Sequence, residues 1–394
     1  MKRWSEKLFG VAVVFGILGT VVVTGALLVS ATGIIPVKAS SRHWAITEWF
    51  LHFSMRRSVA THSLGVKKPE LDDPALILRG ATHYDVGCRS CHGSPGTLQP
   101  RIAYQMTPPP PGLKEKVREW SPEQLFSIIK HGVKFTGMPA WPARERDDEV
   151  WSVVAFLWTL PDLDEAGYLK LIGGEAVESE PIQGMELSHQ SLRVLNQSCV
   201  RCHGADGLGR GAGAFPVIAG QREEYLEKSL QAYASGGRHS GIMGPIAAAL
   251  KPDEMRQLSA YYAQFAPGEP FVVGAGDPEA IERGRILAQE GERRQRIPAC
   301  VECHTPDGRR TKPAYPILAG QPASYLITQL ELFSSGSRGG SEYAHIMNEI
   351  APRLTSRQIQ DVAAYFSSLR GSSKAPSRTG NSSRPVDPPE PGMR

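Results

Sequence analysis

The chain has 394 residues, a formal net charge of +4 and a hydrophobic content of 41%. Length and composition suit about two to four globular domains and exclude a wholly disordered chain. The small positive excess is not clustered, which argues against nucleic acid as a partner.

From the N-terminus, Leu8 to Val37 carries no charged residue. A helix rises about 1.5 Å per residue and a bilayer core is about 30 Å thick, so this run can span it. Lys2, Arg3 and Lys7 precede it. By the positive-inside rule the N-terminus then stays in the cytoplasm and the rest is exported. A cleaved signal peptide is the rival reading, with Val37-Lys38-Ala39 as a loose cleavage site. The apolar run exceeds a signal core in length, which favours an uncleaved anchor over residues 1–40.

Residues 41–73 contain HWAITEWFLHFSMRR, His43 to Arg57. Trp44, Trp49, Phe50 and Phe53 suit a membrane–water boundary. Ile46, Trp49, Phe50 and Phe53 fall at helical spacing. The segment reads either as an amphipathic helix lying on the membrane or as a helix packed on the first domain. His43, His52 and His62 read as solvated or packed side chains.

One pattern then recurs: Cys88-Arg89-Ser90-Cys91-His92, Cys199-Val200-Arg201-Cys202-His203 and Cys300-Val301-Glu302-Cys303-His304. Cys-x-x-Cys-His is the attachment site of a c-type haem. Two thiols one helical turn apart can bond two vinyl groups on one porphyrin edge. The adjoining histidine can turn beneath the plane to the iron. The six cysteines of the chain are all used this way. A zinc ribbon would pair two knuckles on one metal, but here an odd number of pairs lies about a hundred residues apart. A thioredoxin-like motif needs no trailing histidine. Three covalent haems are therefore expected, and their propionates would turn the holoprotein mildly acidic. Export agrees with the motif, since such haems are attached outside the cytoplasm.

The motifs divide the chain into units at 74–164, 186–266 and 278–370, with linkers at 165–185 and 267–277 and a disordered tail at 371–394. Units two and three repeat each other. Pro216-Val217-Ile218-Ala219-Gly220-Gln221 matches Pro316-Ile317-Leu318-Ala319-Gly320-Gln321, Tyr225 matches Tyr325, and Ile242-Met243 matches Ile346-Met347. Unit one lacks the Ala-Gly-Gln element. Each unit predicts a helix leading into the motif (Glu279 to Gln289), a middle helix (Ala323 to Ser334) and a closing amphipathic helix. Thr355-Ser356-Arg357-Gln358 is a capping box for the last of these. Ser121-Pro122 starts a middle helix in unit one, and Trp151, Val154, Ala155 and Trp158 line its closing helix. No strong strand signal is present, so the fold class is all-α.

A haem iron needs a second axial ligand or an open position. A methionine raises the potential and closes the iron to substrate. Unit three offers only Met347 between its motif and the tail. The repeat selects Met243 over Met255, which aligns with the core position Ile359. Unit one offers Met138 in Gly137-Met138-Pro139-Ala140-Trp141, while Met106 follows His92 too closely. His131, His239 and His345 are the competing ligands. The Pro216 and Pro316 carbonyls can orient the proximal imidazoles.

Units two and three resemble the soluble tandem di-haem cytochromes c through CVRCHGADG, FPVIAGQREEYL and GIM in one and CVECH, YPILAGQPASYL and HIM in the other. Unit one, with its GMPAW loop, resembles a single class I cytochrome c domain. The resemblance covers about three quarters of the chain. It implies three all-α cytochrome c domains behind the N-terminal transmembrane helix, His/Met haems and electron transfer without catalysis. The haem count is also similar to that of the cytochrome subunits of membrane-bound alcohol and gluconate dehydrogenases, but an N-terminal anchor and a polar C-terminal tail depart from that family. The expected protein is a carrier held by one span in a bacterial inner membrane, its haem domains in the periplasm. Its donor would be a dehydrogenase or quinol-oxidising complex and its acceptor a terminal oxidase or reductase. A haem enzyme, such as a di-haem peroxidase or thiosulfate-oxidising cytochrome, is the alternative, and a non-redox assembly component a third.

Overall fold

A computed structural model describes residues 2–35, 37–173, 187–211, 213–266, 277–305 and 312–369. The expected tail, and most of both expected linkers, lie outside these residues. Among the described residues every regular element is helical, with only isolated β-bridges.

Two helices come first, α1 (Lys2–Ala31) and α2 (Ala45–His62). Unit one has α3 (Pro74–Gly87), the short turns α4 (Arg89–His92) and α5 (Leu113–Lys116), then α6 (Pro122–His131), α7 (Asp147–Thr159) and α8 (Glu165–Ile172). In unit two a π-turn at Leu195–Cys199 joins α9 (His189–Val194) to α10 (Val200–His203). α11 (Glu223–Ala234), α12 (Met243–Ala248) and α13 (Pro252–Ala263) complete it. Unit three has α14 (Pro278–Glu290), α15 (Ala323–Ser334), α16 (Ala344–Ile350) and α17 (Ser356–Ser368).

Local chemistry sets these ends. The Asp73 carboxylate accepts from Ala75 N at the start of α3, with Pro74 in the first turn. Ser121 with Gln124, and Thr355 with Gln358, form capping boxes on α6 and α17. Gly132 ends α6 at φ +65°, where a Cβ would lie 2.6 Å from Ala140 N.

The first and last helices of a unit cross in contact. A Cβ on Gly80 of α3 would stand 1.8 Å from the Ser152 carbonyl oxygen of α7. One on Gly284 of α14 would stand 2.0 Å from the Asp361 oxygen of α17. Only glycine admits so close a backbone approach. Ser191, fully buried on α9, holds the same place before its motif as Gly80. Around the unit-one crossing Tyr84, Val150, Val153, Val154 and Phe156 are almost wholly buried. Each such side chain contributes about 1.5–3 kcal/mol of hydrophobic stabilisation.

Two features differ from expectation. Residues from Glu165, expected as linker, form α8, which packs on α3. Its buried Tyr168 hydroxyl donates to Asp85 Oδ1 at 2.7 Å. That hydrogen bond ties α8 to the interior of unit one. In unit three α14 matches the expected lead-in helix, Glu279 to Gln289, to within a residue at each end, and a tight turn pairing Glu292 with Ile297 separates it from Cys300. Finally, α2 is apolar on more than one side. Leu51, Met55 and Val59 are half-buried where it packs on α6, while Ile46, Trp49, Phe50 and Phe53 are exposed. The Arg56 guanidinium lies 5.0 Å over the Trp120 ring and pairs with Glu119 at 2.7 Å.

Phe9–Ala31 has a mean hydropathy of 2.5 and is long and apolar enough to cross a membrane. None of this window is buried among the described residues.

Candidate haem sites

Each Cys-x-x-Cys-His motif folds as a single turn. His92 N donates to Cys88 O at 3.0 Å, and His304 N to Cys300 O at 2.8 Å. Buried tyrosines fix the loop that follows. Tyr84 donates to Gly93 O at 2.7 Å and Tyr262 to Gly204 O at 3.1 Å, in each case the residue after the motif histidine.

The three imidazoles share one arrangement. His92 Nδ1 lies 2.9 Å from Pro111 O, His203 Nδ1 3.3 Å from Pro216 O, and His304 Nδ1 3.0 Å from Pro316 O. A carbonyl only accepts, so Nδ1 carries the proton and Nε2 keeps its lone pair. Burial pushes all three below the ordinary histidine pKa, against the opposing pull of the carbonyl. Each ring is a neutral imidazole whose Nε2 could serve as a ligand.

Five of the thiols, Cys88, Cys199, Cys202, Cys300 and Cys303, are held protonated rather than activated. Burial pushes Cys88, Cys199 and Cys202 up to about 12 and Cys300 to about 11. A zinc thiolate or nucleophilic cysteine needs the reverse shift. None of the six is in a disulfide.

Met138 packs against the same unit-one core as Cys88. Its loop is folded back on α6. Val133 N donates to Met138 O, Trp141 N to Lys130 O at 3.1 Å, and Met138 N to Thr136 Oγ1 at 3.1 Å. Met106, set aside in the sequence reading, is half-buried, with its sulfur beside Gly137. Met243 and Met347 open α12 and lie within α16, respectively. One continuous apolar cavity is lined by Cys199, Cys202, His203 and Met243 in unit two and by Cys300, Cys303, His304 and Met347 in unit three. Of the competing histidines, His131 and His345 are exposed, and His239 stands 3.2 Å from the Glu145 carboxylate. Met255 is buried on α13.

The interface of units two and three explains the repeated Ala-Gly-Gln. The Gln221 side chain exchanges two hydrogen bonds with the Ile317 backbone, at 3.0 and 2.9 Å. Gln321 does the same with Val217, at 3.1 and 2.6 Å. Beside them Arg238 reaches the Tyr325 hydroxyl and Arg338 the Tyr225 hydroxyl, both at 3.2 Å. Both guanidiniums are buried and line the cavity. Burial raises the Tyr225 phenol, but the Arg238 and Arg338 charges pull it down to about 8. Sequence reasoning missed this arginine pair. Its signal was the constant interval, Gln221 to Arg238 and Gln321 to Arg338. It also missed the Pro111 carbonyl, which no repeat marks.

Unit one is joined to unit two through charge. Asp85, buried on α3, pairs with Arg89 at 3.0 Å and with Arg201. Each of these arginines lies between the two cysteines of a different motif.

An apolar cavity, neutral imidazoles with free Nε2, and protonated thiols suit a flat, apolar, thioether-bound haem and define an electron-transfer haem protein. The cytochrome c family model matches residues 192–265 and 281–370, and the model described as cytochrome C oxidase, cbb3-type, subunit III matches residues 75–157. The thiosulfate dehydrogenase electron acceptor of Stutzerimonas stutzeri (strain A1501) is 39% identical over 173 residues, 44% of this chain and 79% of that protein. The protein of that description from Thiomonas intermedia (strain K12) is 35% identical over 170 residues, 43% of this chain and 77% of its own length. Cytochrome c4 of Azotobacter vinelandii is 35% identical over 181 residues, 43% of this chain and 84% of that protein. The chain belongs to the cytochrome c family, with homology to the di-haem cytochromes c4, and cytochrome c domains carry covalently bound haem c.

Proposed function

We propose that the chain is a membrane-anchored tri-haem electron carrier of the periplasm. A porphyrin iron bound at each motif supplies one-electron transfer without substrate chemistry. Cys88 with Cys91, Cys199 with Cys202, and Cys300 with Cys303 hold the three haems by thioether links. His92 with Met138, His203 with Met243, and His304 with Met347 would hold the three irons. The carbonyls of Pro111, Pro216 and Pro316 orient the histidines. The apolar cavity walls exclude water, and Arg238 and Arg338 supply positive charge for acidic groups of the cofactors. α1 is the anchor, with the domain limits at 40, 73, 185, 266, 277 and 370 as read from the sequence and the end of unit one moved from 164 to the end of α8.

The observation that carries this reading is the repeated imidazole–carbonyl bond beside three thiol pairs. The test is haem stoichiometry on purified, denatured protein together with intact mass. Three haems retained per chain are expected, and C88A/C91A should retain two. Retention of only two by the unaltered chain would refute the tri-haem reading.

The donor is a dehydrogenase or quinol-oxidising complex and the acceptor a terminal oxidase or reductase. Two relatives are described as electron acceptors of thiosulfate dehydrogenase, which supports a thiosulfate-oxidising enzyme as donor. Rapid reduction of the ferric protein by such an enzyme with thiosulfate supports that assignment. Reduction by quinol-oxidising membranes alone refutes it.

A further inference from the structure

The Glu149 carboxylate, 3% exposed at the start of α7, holds together two methionine loops from different units. On the unit-one side it accepts from Trp141 Nε1 at 3.0 Å, and Trp141 closes the loop that carries Met138. On the unit-two side it accepts from Ser240 Oγ at 2.6 Å and from Gly241 N at 2.7 Å. Ser240 Oγ in turn accepts from Met243 N at 3.0 Å and Ile242 N at 3.3 Å. The hydroxyl thus spends its one proton on Glu149 and its lone pairs on the turn that starts α12. Arg146 completes the cluster. It lies 2.9 Å from Glu149 Oε1, donates to His239 O at 2.9 Å, and is itself held by Asp148. Glu149, Ser240 and Met243 line the same cavity.

The internal repeat shows that these contacts are specific to unit two. Ser240-Gly241-Ile242-Met243 corresponds to Ala344-His345-Ile346-Met347. The two positions that differ are the two that touch Glu149. Gly241 is further required because a Cβ there would stand 2.3 Å from Trp141 Nε1. Its counterpart His345 is exposed and meets no such constraint.

We propose that Glu149 is a positioning residue for two haem irons. It fixes the Met243 loop through Ser240 and the Met138 loop through Trp141, so that docking of unit one sets the axial geometry of unit two. This inference rests on Met138 and Met243 being axial ligands. It predicts that the two irons respond together to one side chain that touches neither.

The test uses the full holoprotein in detergent, with a redox titration and the near-red methionine-to-iron absorption band of the ferric state. M138A and M243A first assign two of the titration steps. S240A should shift only the step that M243A removes, W141F only the step that M138A removes, and E149Q both, with loss of band intensity at each. Effects of E149Q and S240A should be non-additive on the unit-two step. If M243A leaves the band intact, the ligand assignment fails and the proposal falls with it. If M243A behaves as a ligand variant but S240A and E149Q leave every step and the band at wild-type values, the positioning role alone is overturned. S240A deletes one hydroxyl and decides the unit-two arm even where E149Q does not fold.

Discussion

Replacing Gly80 with alanine puts a methyl carbon where α3 touches α7. The new Cβ would lie 1.8 Å from the Ser152 oxygen, 2.5 Å from its carbon and 2.9 Å from Phe156 Cβ. Ordinary contact begins at about 3.4 Å, so the helices must part by more than an ångström and loosen Val150, Val153 and Phe156 behind them. Overpacking of this kind costs about 1–3 kcal/mol, and more where backbone cannot yield. Alanine returns about 1 kcal/mol of helix propensity. A net loss of about 2 kcal/mol is expected, which moves a urea midpoint down by roughly 1 M. Tryptophan fluorescence isolates the effect, because all seven tryptophans precede residue 164 and units two and three have none. Gly87, at the end of the same helix, has nothing within 4 Å of its would-be Cβ. Its alanine variant should leave the midpoint unchanged or slightly raised. G284A should lower the unit-three transition and leave the tryptophan signal alone. A G80A midpoint equal to wild type would refute the argument that the crossing is set by backbone contact.

Further outcomes follow from buried polar groups. His83 is buried, and desolvation with the nearby Arg79 and Arg146 charges depresses its pKa to about 3. The unfolded chain therefore binds the extra proton, so this stability is complete above about pH 6.5 and is lost as pH falls towards 3; from pH 7 to 5 the loss is about 2 kcal/mol. An H83Q variant should flatten that part of the pH–stability curve, and an unchanged slope counts against the assignment. Q321A strands the Val217 N–H and C=O, at a cost of about 1–3 kcal/mol. Calorimetry should then show units two and three melting apart, whereas one shared transition would show that the exchange of glutamines does not couple them. D85N leaves Arg89 and Arg201 facing each other. The expected loss is about 2 kcal/mol, less than for a fully buried pair because Arg89 remains 46% exposed. High salt should diminish the difference between D85N and wild type, and a salt-independent difference would refute an electrostatic origin.

The sequence by itself determined the chemistry and the local structure. Cys-x-x-Cys-His specifies a ligand set within five consecutive residues, so no tertiary contact is needed to recognise it. The capping boxes at Ser121 and Thr355, and the middle helix at Ala323–Ser334, were legible because caps and 3.6-residue periodicity act over one or two turns. The repeat supplied Met243 and Met347 by register as the proposed axial ligands. Tertiary structure decided what depends on residues far apart in the chain. The expected linker forms α8 because Tyr168 buries its ring in the unit-one interior and donates to Asp85, distant in sequence. Leu51, Met55 and Val59 draw α2 onto α6, so its apolar residues cannot form the single stripe that spacing alone suggested. Gly80 looks like a helix breaker until Ser152 is brought against it. Glu149 reads as an ordinary first-turn acid, and only the docking of unit one on unit two surrounds it with Trp141, Ser240 and Gly241. The physical reason is common to all four. A side chain's local preference is visible in its neighbours along the chain, whereas its desolvation and its partners exist only after the units have packed.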